Sequence, residues 1–121
     1  MQSEVKSIMS TEIFDLENYR PDDNELFSFV LTITVGIKGE PGGENFDVDV
    51  CSPKWLLHNQ YDDIVIGSGK LIAFKCDMPR ILSKVKSLFD GCAGKDWNEI
   101  AMKLSRVGKW EFEDYRPWVK G

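Results

Sequence analysis

Two carboxylates in the stretch Phe46-Asp47-Val48-Asp49-Val50 are the residues best spaced for chemistry in this chain. On a strand they share one face, roughly 7 Å apart by pleat geometry. That separation could hold a divalent cation, or divide acid and base roles between them. The alternation of acid with valine is better met by the solvent-facing side of a hairpin. Nucleophilic catalysis by cysteine needs a histidine base. The single histidine, His58, follows Trp55-Leu56-Leu57, seven residues after Cys51. With no third group evident to orient its ring, it reads as a partly buried structural residue. Zinc calls for clustered ligands, whereas Cys51, Cys76 and Cys92 lie 25 and 16 residues apart. Gly67-Ser68-Gly69-Lys70 lacks the spacing and following helix of a phosphate loop and reads as a turn. No metal or cofactor site is expected.

The elements that must position these residues are legible in the hydrophobic pattern. From Leu26 to Ile37, Phe27, Phe29, Leu31, Ile33, Val35 and Ile37 alternate with smaller or polar residues, which predicts a strand with one buried face. A glycine-rich turn over 38–44 leads to a second strand with Phe46, Val48 and Val50 inward. Ser52-Pro53 opens a short helix from Lys54 to about Asn59. Ile64-Val65-Ile66 and Leu71 to Cys76 read as strands; Asp62-Asp63 reads as a loop and strand entry. Asp77 and Pro79 open a helix with Ile81, Leu82, Val85, Leu88 and Phe89 on one face. Asp96, with Glu99 three residues on, resembles a capping box and starts a helix ending at Gly108. Lys109 to Phe112 completes the pattern as a strand with Trp110 and Phe112 inward, and Val5 to Ile8 is a further strand. Trp97 and Trp110 are assigned to the core, Trp55 to neither side, and Trp118 to solvent. The expected fold class is α+β: one domain over 1–121, with a mostly antiparallel sheet and about three helices packed on one face.

Composition narrows the function. Hydrophobic residues at 42% and charged residues at 29% are those of a globular domain. No run nears the ~18 apolar residues of a membrane span, and three cysteines without framework spacing fit free thiols in a reducing cytoplasm. A net charge of -5 argues against nucleic acid as ligand. The charge is also uneven. Residues 12–25 hold six acids and one base, residues 40–63 hold six acids and one base, and residues 70–109 hold nine bases and four acids. Acidic stretches of this kind would steer a basic protein partner.

Several stretches together resemble a known family. They are Phe46 to Leu57 (FDVDVCSPKWLL), Ile64-Val65-Ile66-Gly67, and Trp110-Glu111-Phe112-Glu113-Asp114-Tyr115. The order of a short strand, an acidic Asp-Leu-Glu loop and a long apolar strand adds to the likeness. The chain is similar to the immunity protein 8 family of bacterial polymorphic-toxin systems. The resemblance implies a small cytoplasmic α+β protein that binds and neutralises a cognate toxin domain without catalysis. It supplies no catalytic residues. The rival classes are a small carboxylate- or metal-dependent enzyme using Asp47 and Asp49, and a regulatory interaction module. A monomer is favoured, with neither nucleic acid nor membrane as partner.

Two segments repeat a local motif: Glu17-Asn18-Tyr19-Arg20-Pro21 and Glu113-Asp114-Tyr115-Arg116-Pro117. In the first, Phe14 and Leu16 are expected to anchor a loop that presents Glu17, Tyr19, Asp22 and Asp23. In the second, the last strand anchors a tail that presents Glu111, Glu113, Asp114 and Tyr115. On one reading both loops lie at one end of the sheet and form a single acidic toxin-facing patch. On the other they are unrelated strand exits, with their tyrosines packed inward. Both readings stay open at this point.

Overall fold

A computed structural model describes residues 1–59 and 64–112. Its elements run β1 (Ser3–Met9), β2 (Ser28–Ile37), β3 (Glu44–Cys51), α1 (Pro53–Asn59), β4 (Lys70–Ile72), α2 (Met78–Phe89), α3 (Trp97–Leu104) and β5 (Lys109–Trp110). The sheet has the order β1-β2-β3-β4, with β5 also paired to β3. All pairings are antiparallel except the parallel one of β3 with β4. The α+β class expected from the pattern is the one observed.

Alternation on β2 and β3 buries Phe27, Phe29, Leu31, Ile33 and Val35 against Phe46, Val48 and Val50. The apolar stripes of α2 (Met78, Ile81, Val85, Phe89) and α3 (Ile100, Ala101, Leu104) close over that face. Asp77 caps α2 by accepting from the Arg80 N–H at 3.2 Å, and Asp96 caps α3 by accepting from Glu99 N–H at 2.8 Å. Glu99 itself pairs with Lys103 at 3.3 Å. β1 contains a bulge between Val5 and Ser7. One extra residue there brings Val5 and Ile8, three apart, onto the same core side. The buried Ser3 then latches the edge strand to the helical layer. Its hydroxyl donates to the Phe89 carbonyl at 2.7 Å and accepts from Cys92 N–H at 2.8 Å.

Several expected boundaries are corrected. Ile64-Val65-Ile66 forms no strand, and all three side chains are exposed. The free edge of β3 is already taken, by β4 at Asp49–Cys51 and by β5 at Phe46–Asp47. β4 ends at Ile72 rather than Cys76, because β3 turns away at Ser52 into α1 and leaves nothing to pair with. α3 ends at Leu104, not Gly108. Gly108 serves a close approach: a Cβ there would meet the Asp47 carbonyl oxygen and Phe89 Cζ, each at 3.0 Å. β5 is correspondingly short. Trp110 stacks on Phe46 at 6.4 Å, while Phe112 lies beyond the strand and is exposed. Trp97 and Trp110 pack against the core as half-buried residues. Asp62-Asp63 and Trp118 lie outside the described residues.

Candidate functional site

The carboxylate pair of β3 stands on the open side of the sheet, as strand alternation requires. Asp47 accepts a hydrogen bond from the Thr32 hydroxyl at 2.7 Å, and Asp49 lies 3.5 Å from the Lys70 ammonium. Each acid thus has its own cross-strand partner, which is how a solvated sheet face is built. Among the described residues, no three His, Cys, Asp or Glu side chains converge so as to hold a metal ion. His58 is exposed on α1, contrary to the partly buried position expected, because α1 buries none of its residues. Gly67–Lys70 is the turn its composition predicts: Gly69 has φ 71° and Lys70 N–H donates to the Gly67 carbonyl.

Burial pushes the Cys51 thiol up, with Lys70 opposing and Asp49 adding to the shift. Burial also raises Cys76, helped by Asp77. Because the thiolate is the reactive form, neither is activated. Alkylation of the native protein at neutral pH is therefore expected to spare Cys51, whereas all three thiols react in denaturant without reductant. A denatured, unreduced count of one would overturn this by revealing a disulfide.

The segment between β1 and β2 carries the densest charge and is firmly placed. Ile13, Leu16 and Tyr19, spaced by three, turn inward against the core. Tyr19 meets Phe29 edge-on at 5.7 Å. Desolvation raises the Tyr19 hydroxyl pKa, and Cys76, Asp22 and Glu12 push it the same way. Hydrogen bonds tie the rest. Asn18 donates to Asp15 at 2.9 Å, Glu25 N–H to Asp23 at 2.9 Å, and Cys76 N–H to the Asn24 carbonyl at 2.9 Å. Asp23 also pairs with Lys54 of α1 at 2.8 Å, which lowers the Asp23 pKa and raises that of Lys54. Glu12, Asp15, Glu17, Asp22 and Glu25 remain exposed. Phe14 is the correction here: far from anchoring the loop, it is fully exposed. The three-residue spacing of Ile13, Leu16 and Tyr19 carried that information, since Phe14 falls off it.

Of the two sets of candidate residues, the described members lie toward different ends of the β2–β3 ladder. Ser28 pairs with Cys51 at one end of the β2–β3 ladder, and Val35 with Glu44 at the other. Tyr19, on Phe29, and Asp23, on Lys54, lie at the first end. Glu111 lies toward the second, where its carboxylate accepts from Asn45 N–H at 2.9 Å. Asn45 and Val50 are five steps apart along β3, about 17 Å at the rise of a strand. Glu113, Asp114 and Tyr115 lie outside the described residues.

Among the described residues, no helix is long and apolar enough to cross a membrane. Compared with known proteins, the chain matches the family described as Immunity protein 8 over residues 3–115. No curated protein and no solved structure matches it.

Proposed function

Because the chain belongs to the immunity protein 8 family, whose members act against polymorphic toxins, we propose that it neutralises its cognate toxin by non-catalytic binding through an acidic surface. The observation that carries the surface is the pinned loop between β1 and β2. Five carboxylates stand exposed there on a backbone that inward apolar side chains and hydrogen bonds hold in place. Charges fixed before encounter cost less to order on binding and steer a basic partner from a distance. Glu17, Asp22 and Asp23 supply charge, and Tyr19 positions them. Glu111, toward the other end of the sheet, supplies a second acidic contact, which we extend to Glu113, Asp114 and Tyr115, outside the described residues. The toxin that fits is a basic one, such as a nuclease whose phosphate-binding cleft the loop would occupy. The protein acts in the cytoplasm as a monomer, with neither nucleic acid nor membrane as partner.

The test is the association rate with the cognate toxin domain, identified by pull-down from the native host. Exposed charges are screened over about 8 Å at physiological ionic strength. The on-rate is expected to fall more than tenfold, roughly, between low and physiological salt. A salt-indifferent on-rate would remove the acidic surface from the account, and absence of binding would remove the toxin.

A further inference from the structure

Phe14 is 104% exposed, as open to water as in an extended chain, on a loop that is otherwise nailed down. Its neighbour Ile13 and Leu16, two residues on, face the core, so the backbone between them points the phenyl ring outward. Large aromatic side chains presented in this way, within a polar rim, are the usual anchors of protein interfaces. Glu12, Asp15 and Glu17 form such a rim: they flank the ring in sequence, and all are exposed. Met9, 50% exposed on β1, extends the apolar surface along the same shallow groove, which α2 closes with Leu82 and Lys86. Charge separates Phe14 from the other exposed phenylalanine of comparable openness. Phe74, 77% exposed, lies in a groove lined by four bases and two acids, which would repel a basic partner.

We infer that Phe14 is the apolar anchor of the toxin interface, inserting into a pocket on the toxin that is ringed by lysine or arginine. The inference rests on the toxin-binding reading above and adds to it the residue that sets residence time. Acids on the rim govern how fast the complex forms; a buried aromatic governs how slowly it parts. The ring is already held outward in the unbound protein, so little side-chain and loop freedom remains to be lost on docking.

The experiment uses the full chain and the cognate toxin domain, identified by pull-down from the native host. Phe14→Ala is expected to speed dissociation about 30-fold or more, the scale of a hot-spot truncation. The on-rate should stay within about twofold, since no charge is removed. Its melting temperature should match that of the parent, because the ring touches no core. In parallel, a photoreactive benzoyl-phenylalanine at position 14 should cross-link to the toxin, and one at the exposed Asn98 on α3 should not. If the parent binds while Phe14→Ala dissociates at the parental rate, or position 14 fails to cross-link, the anchor is wrong and toxin binding stands. If the parent itself does not bind, both fall together.

Discussion

Phe89→Ala is expected to lower the stability of the fold by roughly 3–5 kcal/mol, against a total of about 5–15 kcal/mol for a domain of this kind. Phe89 is completely buried in the last turn of α2. It packs on Phe46 at 5.6 Å, and its ring edge lies where a Cβ on Gly108 would stand, 3.0 Å away. Removing the ring therefore empties the point where α2, β3 and the entry to β5 converge. The neighbouring backbone cannot collapse into the space, because Ser3 and Cys92 hold the end of α2 in position. Trp110→Ala should cost less than Phe89→Ala. Trp110 is only half-buried, and its Nε1 has no hydrogen-bond partner among the described residues, so its removal relieves one desolvated donor. Urea unfolding of both variants checks the order. A loss below about 1 kcal/mol for Phe89→Ala would mean that the helical layer is not organised around this residue.

Reversing Glu12, Glu17 and Asp22 to lysine is expected to slow association with the toxin by about two orders of magnitude, within the range that electrostatic steering spans. All three are exposed and make no ion pair among the described residues, whereas Asp23 is engaged with Lys54. Thermal unfolding should move little, since exposed charges contribute little to stability. The same reversal at Glu111 alone should have a smaller effect, because that carboxylate is engaged with Asn45 toward the other end of β3. Stopped-flow mixing at low salt distinguishes the two. An unchanged on-rate for the triple variant would place the interface elsewhere on the molecule.

The parts of the fold that were legible in the sequence share one property: their pattern is set by a single buried face. The alternation of β2 and β3 and the stripes of α2 and α3 needed no knowledge of neighbours. Where an element depends on a partner's edge, the pattern misleads. Ile64-Val65-Ile66 has strand chemistry, but β3 has no free edge to offer it. Phe112 has the alternation of an inward residue, yet β5 stops at Trp110. The bulge at Lys6 breaks period 2 and so weakened the signal of β1. The same distinction divides the candidate site. That residues 12–25 are acidic is a matter of composition. That Phe14 points outward depends on which of Ile13, Phe14 and Leu16 the core had room for. Tyr19 of the first YRP segment packs on Phe29, whereas the second YRP segment lies outside the described residues.

The latch between Ser3 and the α2–α3 connection has a consequence for synthesis. Its two ends lie 86 and 89 residues apart along the chain. A ribosome thus releases β1, then the acidic loop, then β2 and β3, long before the segment that fastens the first strand's outer edge. Until Cys92 clears the exit tunnel, that edge is an open ladder, able to pair with whatever strand it meets. A cell that depends on this protein therefore gains protection late in each round of translation. Messages cut short before that point would yield products prone to aggregate rather than partly protective ones.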